Sequence, residues 1–149
     1  MNLPRSWSLF GADHLPHRLL LLARMIDRQT ARQLQQKFAI TLAEWRVLAF
    51  VCAAGPASAS AIAQAGGIDR AEISRAVAKL EEKGLIGREP DTRNRRKLTL
   101  LPTDAGRALF AQIGDDRRAF FRDLLAEVGA HDRAVIEGAM ERMAARLST

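Results

Sequence analysis

The sequence predicts a mainly α-helical fold with one small β-wing. Three observations predict it. Apolar residues recur at spacings of three and four through several long stretches. Two helix-start signals, Thr41 with Glu44 and Asp69 with Glu72, precede apolar-periodic runs. One short, turn-rich basic segment, EPDTRNRR at residues 89–96, separates two runs of strand character.

The first helix is predicted over residues 14–38. Leu15, Leu19, Leu22 and Ile26 line one face, and Leu20, Ala23 and Leu34 widen it. Pro16 fits only a first turn and so helps fix the start. The second helix follows Thr41 and runs to residue 54 before Gly55-Pro56 stops it. It is apolar on nearly every side, which marks a helix at the centre of a fold, and Cys52 is expected there as a small core residue. Ser58 or Ser60 caps a short third helix to about residue 65, and Gly66-Gly67 makes a turn. Asp69 opens a fourth helix that ends at Gly84, with Ile73, Val77 and Leu80 on its buried side. Arg70, Ser74, Arg75 and Lys79 fall away from that side.

A short helix, a tight turn and a second helix form the helix-turn-helix pattern. Strands are predicted over residues 85–88 and 97–101, the second with Leu98 and Leu100 on one face, and together they make the wing. Thr103 or Asp104 caps a long helix to about residue 128, ended by Gly129. A last helix covers about residues 131–147 and carries Val135, Ile136, Ala139, Met140, Met143 and Leu147.

Charge narrows the function. The 149 residues hold 23 Lys and Arg against 17 Asp and Glu, a net +6. Such an excess suggests a polyanionic partner. Residues 88–97 hold five basic and two acidic side chains, so half the excess sits in ten residues. Residues 102–149 are net −1, and their apolar stripes, with that of the first helix, are better suited to an interface between chains. The longest apolar run, residues 47–54, has eight residues, where a membrane span needs about 20. With no signal-peptide pattern, a cytoplasmic protein is expected. One cysteine and three histidines (His14, His17, His131) provide neither a disulfide framework nor a metal-ligand set. Nucleotide-binding, zinc-protease and serine-hydrolase motifs are absent, so neither an enzyme nor a cofactor is expected.

Four stretches, in this order, resemble the MarR family (multiple antibiotic resistance regulators) of bacterial winged helix-turn-helix transcriptional regulators. They are ITLAEWRVLAFV at 40–51, DRAEISRAVAKLEEKGLI at 69–86, DTRNRRKLTL at 91–100 and LPTDAGR at 101–107. The resemblance spans residues 13–147. It implies a first dimerisation helix within residues 1–38, a winged helix-turn-helix domain over 39–101 and C-terminal dimerisation helices over 102–149. It further implies a homodimer that binds double-stranded DNA at a palindromic operator, usually as a repressor relieved by a small ligand.

On this reading the 69–83 helix enters the major groove, with Ser74 and Arg75 at base edges and Arg70 close by. Lys79 meets phosphate, as do Ser58 and Ser60 at a helix start. The wing reaches the minor groove with Arg93 or Arg95 inserted and Arg96 beside them. Asp91 orients one of these arginines, as the family pattern implies. The family's effector pocket lies between the winged domain and the dimerisation helices. Its candidate lining here is Trp7, His14, His17, Arg18, Trp45 and Arg46, which suits a small anionic or aromatic effector. A helical adaptor or anti-regulator that contacts only proteins is the alternative, and the arginine-rich wing is the feature that speaks against it.

Overall fold

The computed structural model describes residues 3–148. A 3-10 turn over Arg5–Ser8 precedes helix α1 (Leu15–Phe38), α2 (Leu42–Ala53), α3 (Ala59–Gly66) and α4 (Arg70–Glu82). Strands β1 (Ile86–Pro90) and β2 (Leu98–Pro102) follow, then α5 (Asp104–Leu124) and α6 (Ala130–Leu147). The chain forms two compact units, one ending at Phe110 and one beginning at Ala111.

In the first unit the predicted caps are made. Thr41 Oγ1 accepts from Glu44 N at 3.1 Å. Ser58, and not Ser60, caps α3 by accepting from Ala61 N at 3.1 Å. Asp69 accepts from Ala71 N and Glu72 N at 3.1 and 3.2 Å. Such caps satisfy amides that have no partner within the helix.

Helix α2 is the centre of the core. Its Ala43, Val47, Leu48 and Val51 are buried with Ile62 and Ala63 of α3, Ile73, Ala76, Val77 and Leu80 of α4, and Ile86 and Leu100 of the strands. Cys52 is half-buried beside this cluster, and burial pushes its thiol up, opposed by the charge of Arg107. A raised thiol has little thiolate character, as expected of a packing residue.

The strands pair antiparallel with Ile86 opposite Pro102 and Pro90 opposite Leu98. Leu100 is buried and Leu98, two residues away, is exposed, because the core ends before the tip of the wing. Ala57 adds a bridge to Leu100 on its other side, with Leu100 N donating to Ala57 O at 2.9 Å.

The start of α5 is locked to the end of α4. Of the two candidate caps, Thr103 fills the role: its Oγ1 accepts from Gly106 N at 3.1 Å and donates to Gly84 O at 2.6 Å. Gly84 itself has a φ of 70°, a conformation that favours glycine. A Cβ on Gly106 would collide with the carbonyl oxygen of Leu85, so the helix can approach this closely only with glycine there.

In the second unit the long helix ends earlier than expected. Helix α5 stops at Leu124, residues 125–127 form a turn, and Gly129 is the N-cap of α6 with a φ of −65°. Gly129 therefore does not end the preceding helix. The turn that follows is held by Arg133, whose guanidinium donates to Leu125 O and Val128 O, both at 2.7 Å. These carbonyls fall within the last four of a helix ending at residue 128 and so have no intrahelical partner there.

Candidate nucleic-acid interface

The exposed face of α4 holds the predicted reading residues. Ile73, Ala76, Val77 and Leu80 are buried, which turns Arg70, Ser74, Arg75 and Lys79 outward. Arg70, Ser74 and Arg75 make no side-chain hydrogen bond or ion pair among the described residues. Lys79 Nζ pairs with Glu82 Oε2 at 3.0 Å, both well exposed. Such a surface pair is weak and a phosphate can replace the carboxylate.

A cleft of about 420 Å³ joins α3, α4 and the wing, lined by Ser58, Ser60, Gln64, Arg70, Lys97 and Leu98. Ser58, Ser60 and Arg70, each placed near DNA by the sequence reading on separate grounds, come together in this one depression. Lys97, at the foot of β2, adds a second cation there. The mouth thus combines the N-terminal end of α3 with two basic side chains, a chemistry that holds phosphate.

The wing loop is ordered from within. Asp91 Oδ1 accepts from Arg93 N at 2.7 Å and from Asn94 N at 3.2 Å. Asn94 Oδ1 accepts in turn from Arg96 N at 3.2 Å, and Asp91 N donates to Lys97 O at 2.9 Å. These are two successive Asx turns closed by a backbone bond. The amides of Arg93 and then Asn94 hold the Asp91 carboxyl below the usual carboxylate range, with the nearby charges of Arg93 and Lys97 acting the same way. Asp91 thus shapes the loop through peptide N–H groups and not through a guanidinium hydrogen bond. Arg93, Arg95 and Arg96 are left exposed, with no side-chain hydrogen bond or ion pair among the described residues.

Arg88, counted above among the wing cations, points elsewhere. Its guanidinium makes a two-point ion pair with Glu81 of α4, Nη2 to Oε2 at 3.1 Å. The sequence gives no signal for it, because seven residues and a turn separate the two partners.

Residues of the expected effector pocket fall into two groups by their contacts. Arg18 holds the N-terminal turn by donating to Trp7 O at 3.1 Å and Gly11 O at 2.9 Å. The ring of Phe10 lies 5.2 Å from that of His14 and 4.9 Å, edge-on, from that of His17. On α2, Trp45 stacks on Phe110 at 5.7 Å and Arg46 pairs with Asp27 at 3.0 Å. Both arginines therefore serve structural bonds already. No group of three or more metal-binding side chains occurs among the described residues. Nor is any described helix long and apolar enough to cross a membrane.

The MarR family model matches residues 38–97, from the end of α1 through the wing. A protein assigned to transcriptional regulation of the hcr operon in Thauera aromatica is 30% identical over 116 residues, covering 78% of this chain and 70% of that protein. The HTH-type transcriptional regulator YwoH of Bacillus subtilis is 27% identical over 120 residues, 80% of this chain and 86% of that one. Among solved structures, a MarR/EmrR family transcriptional regulator from Acinetobacter sp. ADP1 superposes with a TM-score of 0.80 at 24% identity, over 91% of this chain and 95% of its own. MepR from S. aureus, solved in complex with DNA, gives 0.77 at 19% identity, over 91% and 99%. At those identities the structural likeness is one of fold. With the sequence relatives it bears out the resemblance read from the four stretches: the chain belongs to the MarR family and is a winged helix-turn-helix, DNA-binding transcriptional regulator.

Proposed function

We propose that the chain acts as a homodimer on a palindromic operator, as a ligand-responsive repressor in the cytoplasm and without catalysis. The observation that carries this reading is the cleft between α3, α4 and the loop end of β2. There Ser58, Ser60, Arg70 and Lys97 converge beside the exposed Ser74 and Arg75. Phosphate in the cleft sets the register of α4, Arg75 and Ser74 read base edges, and the wing arginines enter the neighbouring minor groove.

The homodimer is supported by apolar surface within each unit. In the first, Leu9, Phe10, Leu15, Leu20 and Leu22 are exposed. In the second, Phe121, Leu124, Val135, Ile136 and Met140 are exposed. Single exposed apolar residues are ordinary, but runs of them along helices point to a protein partner. A twofold dimer places its recognition helices about 34 Å apart.

For an effector, the rings of Trp7, His14 and His17 in one group and of Trp45 in the other favour a small anionic or aromatic molecule, an anion reaching Arg18 or Arg46 only by displacing the bonds they now make. Selection from a pool of random duplexes by the full-length protein tests the operator reading. The expected product is a twofold-symmetric site with half-sites one helical turn apart. A pool that stays random contradicts it.

A further inference from the structure

The Lys83-Gly84-Leu85-Ile86 junction carries part of the family resemblance, yet no step above uses Lys83. Its side chain does not point toward the reading face. Lys83 is the C-cap of α4, and its Nζ donates to Glu44 Oε2 at 2.7 Å and to Ala39 O at 2.9 Å. Glu44 lies in the first turn of α2, with its side chain 5% exposed against 34% for Lys83. Ala39 caps α1 in the left-handed region, with a φ of 54°, an uncommon conformation for a residue other than glycine. One ammonium group thus joins the end of the recognition helix to the corner between α1 and α2.

We infer that Lys83 is a positioning residue for DNA reading: through Glu44 and Ala39 it fixes the angle of α4 against the α1–α2 corner. Any rotation of α4 about its C-terminal end separates a charge pair whose carboxylate is buried. A buried charge that loses its partner is costly, so the pair holds one arrangement. The inference rests on the proposal that α4 reads sequence.

The test replaces the pair with apolar side chains of similar length, Glu44→Met with Lys83→Met, which leaves no buried charge behind. Lys83→Met alone is the companion variant. Both are made in a Cys52→Ser chain carrying spin labels at two exposed positions, Ala78→Cys on α4 and Gln36→Cys on α1. The distance distribution is measured without DNA. Binding to the selected duplex and to a scrambled duplex is measured across salt on the same Glu44 and Lys83 variants without the label substitutions, because Ala78 shares the outward face of α4 with Ser74 and Arg75.

The expected result is a broadened distribution and a specific-to-scrambled ratio lowered about three- to thirtyfold, with the salt slope unchanged. A distribution as narrow as the parent's in the double variant overturns the inference. So does a broadened distribution with unchanged preference, which would make the tie structural only. A salt slope lowered by about one, with a narrow distribution, would make Lys83 a phosphate contact instead. If the parent itself shows no sequence preference, the operator reading fails, while the label distances still decide whether Lys83 holds the angle.

Discussion

Arg88 of β1 and Glu81 of α4 face each other as a two-point ion pair, half-exposed on both sides. The pair ties the stem of the wing to α4, so the two elements of the proposed DNA-binding face are held in a fixed relation. The prediction is that Glu81→Ala costs about 1 kcal/mol, the upper end for a partly exposed pair. For a chain of this length that lowers the melting temperature by about 2–4 °C. Thermal unfolding followed by circular dichroism checks the stability. Wing amide signals in NMR that broaden in the variant check the tie, and unchanged signals count against it.

Gly106 offers a test in which helix propensity and packing have opposite signs. In an exposed helix interior, Gly→Ala stabilises by about 1 kcal/mol. Here the added Cβ meets the carbonyl oxygen of Leu85, a backbone atom that cannot swing aside. Gly106→Ala is therefore expected to destabilise by about 1–3 kcal/mol, the range for overpacking. Urea unfolding of parent and variant decides the sign, and a stabilised variant would show that α5 can shift away from Leu85.

Asp91 makes the wing pH-dependent in a defined direction. Its carboxyl is held below the usual value of about 3.9 by the amides of Arg93 and Asn94. A depressed carboxylate contributes order that is complete above the usual range and is lost as pH falls through the lowered value. The amide shifts of Arg93 and Asn94 should titrate together below the ordinary carboxylate range. Asp91→Ala should abolish that step and weaken DNA binding at neutral pH by on the order of tenfold, the equivalent of one charge-assisted bond. A variant that binds like the parent would show that the loop is shaped by DNA and not by Asp91.

Much of this fold is legible in the sequence because its signals are local. Thr41, Ser58 and Asp69 sit next to the amides they cap, and the spacing of Ile73, Val77 and Leu80 defines the buried side of α4 by helical geometry alone. What stayed hidden depends on partners distant in the chain. Glu44 fits a capping box by spacing, but its carboxylate goes to Lys83, 39 residues away. Arg88 belongs by sequence to the wing's charge and by structure to Glu81. Helix α5 ends at Leu124 and not at residue 128, and the group that holds the turn after it, Arg133, lies in the next helix. In the site, outward-facing residues on α4 followed from periodicity. The convergence of Ser58, Ser60, Arg70 and Lys97 required the wing to fold back beside α3.

The proposed division of labour is that α4 reads sequence while the wing anchors. Its most direct test is the binding of Arg75→Ala and Arg95→Ala to the selected and scrambled duplexes over a range of salt. Arg75→Ala is expected to lose about 1–3 kcal/mol of discrimination between the two duplexes. Arg95→Ala is expected to weaken binding to both and to lower the slope of log K against log salt by about one. If both variants bind both duplexes as the parent does at every salt concentration, neither α4 nor the wing has the role assigned to it.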